Sequence, residues 1–102
     1  ELSDSKSNRW LTTLTLDKRI IKTDPLELIK TLEKENIEAR QIWKPMHLQP
    51  LYEDHRYIYL KDKDISGELF ASGLCLPSGS QLTTDEQNLI IDIIIDKLSF
   101  TT

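Results

Sequence analysis

Hydrophobic and polar positions change period several times along this chain, and each change marks a candidate element. From Arg9 to Leu16 the pattern alternates. Trp10, Leu14 and Leu16 fall on one side with Thr12 among them, while Thr13 and Thr15 fall on the other, which predicts a half-buried strand. Asp24-Pro25-Leu26-Glu27 then signals a helix start, with an N-cap Asp, proline at the first helical position and a Glu placed to close a capping box. Leu28, Ile29 and Leu32 form its apolar stripe, Glu27, Lys30, Lys34 and Glu35 its wet side, and Asn36 its end. Glu38 to Trp43 can form a second strand. Pro45 and Pro50 bracket a segment that neither lets continue as a strand, and no clear period follows as far as Lys63. Asp64 is placed to cap a short helix carrying Ile65, Leu69 and Phe70, with Gly73 as its stop. Leu74-Cys75-Leu76 reads as a short buried strand ended by Pro77-Ser78-Gly79.

The last segment holds five isoleucines, which by propensity favour a strand. Its polar positions decide otherwise. Asp85, Asn88, Asp92 and Asp96 recur at three and four, which predicts a helix with Ile90, Ile91, Ile94, Ile95 and Leu98 facing inward. Thr83 or Thr84 caps it, with Glu86 or Gln87 reaching back. The order strand, helix, strand, long loop, short helix, strand, helix predicts an α+β fold, a small sheet covered by helices on one face. Residues 1–7 are polar and serine-rich and read as a linker or frayed end.

Composition narrows the picture. At 102 residues the chain allows one domain, and 38% hydrophobic residues promise a thin core that would suit a piece leaning on something else. A formal net charge of −4 argues against a nucleic-acid partner or an anionic membrane surface. No apolar run approaches the roughly 20 residues that cross a bilayer. The polar opening is no signal peptide, and a single cysteine suits a reducing compartment, so the expected location is cytoplasmic. The sequence does not open with Met, and we expect that it was cut from a longer protein.

General catalytic motifs are missing: no phosphate-binding glycine loop, no paired-Cys metal ligands and no nucleophile elbow. His47, His55 and Cys75 match no known metal spacing, so no metal is expected. Cys75 between two leucines reads as a core thiol, and Ser78 and Ser80 read as turn residues. The segment Trp43-Lys44-Pro45-Met46-His47-Leu48-Gln49-Pro50 stands apart, with an aromatic, a cation and an imidazole on a proline-stiffened turn. Two readings stay open: polar groups held toward a ligand, or a structural turn with Trp43 and Met46 plugging the core.

Four ordered blocks bear on that choice. They are Asn8-Arg9-Trp10-Leu11-Thr12, Ile37-Glu38-Ala39-Arg40, the Trp43–Pro50 segment, and Gly73-Leu74-Cys75-Leu76-Pro77-Ser78-Gly79-Ser80 followed by Leu82-Thr83. In this order they resemble the carboxy-terminal region of the DegT–DnrJ–StrS family of pyridoxal-phosphate-dependent nucleotide-sugar aminotransferases, closest to members acting on UDP-linked 4-keto sugars for bacterial glycan synthesis. The resemblance runs from about Ser7 to the final helix. It implies that residues 8–102 are the small domain of a fold-type-I enzyme whose cofactor, pyridoxal phosphate, sits between the two domains close to a dimer interface.

The Schiff-base lysine and the carboxylate for the pyridine nitrogen would then lie upstream of Glu1. No catalytic residue is expected here, and the fragment alone should be inactive and bind little cofactor. Its implied partners are the large domain, a nucleotide sugar and glutamate. The resemblance implies His47 as a hydrogen-bonding group in the active-site mouth and Arg9 and Lys44 as cations for the diphosphate. It also implies Asn8 and Trp43 as residues shaping the pocket, although Trp43 reads first as a core residue. The sequence departs from the family pattern at Gln41, where members often carry proline, and over Tyr52–Lys63, which matches nothing. The rival reading is a free-standing α+β small-molecule-binding module.

Overall fold

The computed structural model describes residues 1–99. Its elements are β1 (Thr12–Thr15), α1 (Pro25–Lys34), β2 (Arg40–Gln41), α2 (Ile65–Ser72), β3 (Gly73–Leu76) and α3 (Thr84–Ser99), with 3-10 turns at Met46–Leu48 and Pro50–Tyr52. β3, the most apolar strand, takes the middle of a three-stranded sheet ordered β1-β3-β2. Both neighbours run antiparallel to it, with Leu14 opposite Leu74 and Arg40 opposite Cys75. The sheet face bearing Leu14, Leu74 and Leu76 receives α1 and α3. Leu16, Leu28, Leu32, Leu74 and Ile90 make the buried core there. The α+β prediction, with helices on one face, describes this arrangement.

Local chemistry explains most boundaries. α1 ends in a Schellman motif, in which the Ile37 N–H donates to the Leu32 carbonyl at 3.0 Å and the Asn36 N–H to that of Glu33 at 2.9 Å. Asn36 has φ 59°, the left-handed conformation that this motif requires and asparagine tolerates. α3 opens with a reciprocal capping box. The Thr83 N–H donates to Glu86 Oε2 at 2.8 Å, and the Glu86 N–H to Thr83 Oγ1 at 3.1 Å.

Four expectations need correction. The capping box expected for α1 does not form: Asp24 caps through backbone geometry alone, and its carboxylate faces Lys18 Nζ at 3.3 Å. The first strand is four residues long instead of eight, because Arg9 turns left-handed at φ 56° and carries Trp10 out of the pleat, 66% exposed. The second strand keeps only Arg40 and Gln41, since it is an edge strand paired on one side to a short partner. Gly73 stops α2 as expected, and it does so in extended geometry, at φ −116°, opening β3 directly. There its missing side chain matters sterically, because a Cβ would press on Ile42 and lie 2.9 Å from the Leu69 carbonyl oxygen. On α3, Ile93 joins Ile90, Ile94 and Leu98 against the core, whereas Ile91 and Ile95 remain 43% and 60% exposed.

The molecule is more open than its length requires. The Cα radius of gyration is 16.0 Å, against about 13 Å for a self-contained domain of 100 residues. Exposed apolar side chains gather in residues 43–60, where Trp43, Met46, Leu48, Leu51, Ile58 and Leu60 all stay exposed.

Candidate functional site

The 44–63 loop has its own organisation. Each of its two 3-10 turns begins at or just after a proline, Pro45 or Pro50, whose fixed φ suits the first turn of a helix. The loop returns through a tight turn at Lys61 and Asp62, both at positive φ, flanked by a Leu60–Lys63 bridge. This path delivers His47 to the N-terminus of α2. His47 Nε2 lies 2.8 Å from Asp64 Oδ2, with the imidazole side chain 13% exposed. The ring stacks on Tyr57 at 3.7 Å between centroids and 15° between planes, and Tyr59 packs edge-on against Tyr57.

Asp64 has two tasks. Its Oδ2 faces His47, while Oδ1 accepts from the Gly67 N–H at 3.0 Å as the N-cap of α2, and also from the Tyr57 hydroxyl at 3.3 Å and Ser66 Oγ at 3.4 Å. The His47 hydrogen bond holds the Asp64 carboxyl below the usual carboxylate range. The Gly67 N–H and Tyr57 hydroxyl add to this against a desolvation that pushes the other way.

His47, Tyr57 and Ser66 line a cleft of about 400 Å³ together with Tyr52, His55 and Arg56. Beside the apolar Pro45 and Met46, the polar side chains that line it are donors or amphoteric groups, so its polar part suits a ligand rich in hydroxyl or anionic oxygens. A separate cleft of about 470 Å³ between the end of α1 and the start of α3 is lined by Glu35, Glu38 and Glu86 without any cation. It is the wrong sign for a phosphate-bearing ligand.

The other candidates read from the sequence fall elsewhere. Asn8 Oδ1 accepts from the Trp10 N–H at 3.2 Å, a local turn that sets up the left-handed Arg9. Arg9 and Lys44 are exposed. Trp10 and Trp43 meet at 5.5 Å between centroids, tilted by 36°, which brings the Asn8–Trp10 turn against the start of the Trp43–Pro50 segment. Trp43 and Met46, at 53% and 58% exposed, do not plug the core. The structure thus gathers the candidates into two groups joined along residues 43–47: Asn8, Arg9, Trp43 and Lys44 around the paired indoles, and His47 with its new partners. Tyr57, Asp64 and Ser66 were not among the candidates. The one available signal was the Asp64 N-cap, which says where that carboxylate lies but not what approaches it.

Cys75 is buried, with its thiol 3.9 Å from the Gln41 carbonyl, and the Ser78 hydroxyl donates to the Trp10 carbonyl. Among the described residues no group of three His, Cys, Asp or Glu side chains could hold a metal, and no helix is long and apolar enough to cross a membrane.

A family model, the DegT/DnrJ/EryC1/StrS aminotransferase family, matches residues 1–95. The chain belongs to the DegT/DnrJ/EryC1/StrS aminotransferase family. Over 96 residues this DegT-family chain is 44% identical to a protein of Bacillus subtilis (strain 168) named as a pyridoxal phosphate-dependent aminotransferase, EpsN; the match covers 93% of the chain and 24% of EpsN. A DegT DnrJ EryC1 StrS aminotransferase from Brucella abortus superposes with a TM-score of 0.69 at 25% identity, covering 86% of this chain and 22% of that one. Helicobacter pylori PseC, an aminotransferase involved in the biosynthesis of pseudoaminic acid, superposes at 0.71 with 16% identity over 88% of this chain and 24% of its own, a likeness of fold. The chain therefore spans about a quarter of the length of the relatives it matches.

The residues present do not by themselves form a Schiff-base site for pyridoxal phosphate. Eight of the nine lysines in the sequence are exposed, and the ninth, Lys97, lies in the last turn of α3. None lines the His47 cleft.

The Asp64 geometry carries a pH prediction. Its carboxyl titrates lower folded than unfolded, so its contribution to stability is complete above the ordinary Asp value of about 3.9 and fades as pH falls through the lowered one. Asp17, brought to about 2 by the Arg19 hydrogen bonds, likewise gives up its contribution only below the ordinary Asp value. Comparison with Asp64→Asn isolates the first contribution. In urea unfolding followed by tryptophan fluorescence, the midpoint difference between the parent chain and the variant is expected to shrink below about pH 4. A difference that stays constant down to pH 2 would exclude an ionised Asp64 as the stabilising partner.

Proposed function

We propose that this chain is the small domain of a pyridoxal-phosphate-dependent aminotransferase that moves an amino group from glutamate to a nucleotide-linked, UDP-type, 4-keto sugar in bacterial polysaccharide synthesis. The observation that carries the proposal is the His47 cleft. A half-buried imidazole on a proline-stiffened turn, backed by a carboxylate and a stacked tyrosine, opens beside Arg56 and His55. Hydroxyl and phosphate oxygens of a nucleotide sugar are the ligands that such a set of polar and cationic side chains recognises. The names of EpsN and PseC support the cofactor and the sugar context respectively.

In this reading the cofactor supplies the electron sink from the large domain. His47 orients the sugar through a hydrogen bond, Arg56 and the exposed Arg9 and Lys44 meet the diphosphate, and the Trp10–Trp43 pair shapes the wall between them. The exposed apolar side chains of residues 43–60 fit a chain that normally packs against a large domain, in a cytoplasmic homodimer.

The test uses the protein in its native reading frame. Borohydride reduction followed by peptide mass spectrometry is expected to place a pyridoxyl group on a lysine outside residues 1–102. His47→Ala in the same protein is expected to raise KM for the keto sugar roughly tenfold, the loss of one well-placed hydrogen bond. A cofactor-replete protein with no modified lysine would overturn the reading and favour a binding module.

A further inference from the structure

The contacts of Asp64 fix more than the position of His47. A carboxylate only accepts, so a neutral imidazole facing Asp64 Oδ2 at 2.8 Å must carry its proton on Nε2. The second ring nitrogen, Nδ1, has no hydrogen-bond partner in the protein among the described residues. It is not sealed in either. Among the described residues the buried side-chain nitrogen or oxygen left without a partner is Thr23 Oγ1, so Nδ1 is open to the surroundings of a ring that lines the cleft.

From this we infer that Asp64 is a positioning residue that locks His47 in the Nε2–H form and presents Nδ1 to the cleft as a hydrogen-bond acceptor for a hydroxyl of the substrate. The inference rests on the proposed sugar-binding role of the cleft for its second half; the first half stands on the geometry of this chain alone. The lock is over-determined. Asp64 cannot rotate away without giving up the Gly67 N–H, and the Tyr57 ring that stacks on the imidazole also donates its hydroxyl to the same carboxylate. The arrangement selects for a ligand hydroxyl and against a ligand carbonyl or ether, which could only face Nδ1 as a second acceptor.

Asp64→Asn tests the lock without removing the cap. Oδ1 already receives three donors, of which the Gly67 N–H is fixed by the helix, so the asparagine carbonyl oxygen must stay there. The amide nitrogen then takes the place of Oδ2 and donates to His47 Nε2, which forces the ring proton to Nδ1. The experiment records ring 15N resonances of histidine-labelled full-length protein at roughly pH 9, where imidazole is ordinarily neutral. His47→Gln identifies the signals.

Expected for the parent is a protonated Nε2 and an unprotonated Nδ1, and for Asp64→Asn the reverse, with a roughly tenfold rise in KM for the keto sugar. The same Nε2–H pattern in both proteins overturns the lock. Inversion of the pattern with unchanged KM upholds the lock and overturns the sugar contact, so the two failures are told apart.

Discussion

Leu74→Ala is expected to cost about 3 kcal/mol, within the range seen for fully buried leucines. Leu74 is completely buried within the central strand, opposite Leu14 on one side and Gln41 on the other, and it shares the buried core with Leu28, Leu32 and Ile90 of the helical layer. The surrounding strand cannot collapse into the space because β3 is held by hydrogen bonds on both edges. A domain has only about 5–15 kcal/mol of stability in total, and among the described residues the core cluster rests on five buried aliphatic side chains. Urea unfolding of the chain should show a large fall in midpoint with little change in slope. Leu51→Ala, at a side chain 76% exposed, is the control and should change stability by less than about 0.5 kcal/mol. Equal effects at the two positions would refute the assignment of the core.

The second large effect is expected at Gly67. Inside a helix, Gly→Ala ordinarily stabilises by about 1 kcal/mol. Here the sign reverses. A Cβ on Gly67 would run into the Asp64 carboxylate, lying 2.7 Å from its Cγ, and that carboxylate has nowhere to go while it holds the Gly67 N–H, His47, Tyr57 and Ser66. Gly67→Ala should therefore lose about 2 kcal/mol, the scale of an overpacked site, instead of gaining. The readout that separates this from simple helix damage is the His47 ring, whose 15N pattern should lose its single protonation form as Asp64 is displaced. A more stable Gly67→Ala protein would show that Asp64 does not hold the position described.

Sequence pattern revealed the elements better than their contacts. α1, α2 and β3 were legible because caps, helical period and an apolar run agree with one another. The inner face of α3 was only partly legible. Six of its positions carry Leu or Ile between residues 89 and 95, so period alone does not separate Ile93, which packs, from Ile91 and Ile95, which do not. β1 was overestimated because alternation continues through Trp10, whereas a left-handed Arg9 ends the strand's geometry. In the site, His47 stood out through its proline-bracketed segment, but its partners did not. Tyr57 and Asp64 lie 10 and 17 residues further on, across a loop without period, and nothing local in the sequence encodes which side chains such a loop brings together.

The junction between α2 and β3 gives this site its frame of reference. Ser72 ends the helix and Gly73 begins the strand with no residue between them. Eight helical residues at about 1.5 Å each make α2 a stiff rod of roughly 12 Å, welded at one end to the middle strand and holding Asp64 at the other. His47 is thus tied to the sheet through α2 as well as to the loop that carries it. A tilt of the sheet as a body therefore reaches the imidazole through α2 and the Asp64 carboxylate that caps it.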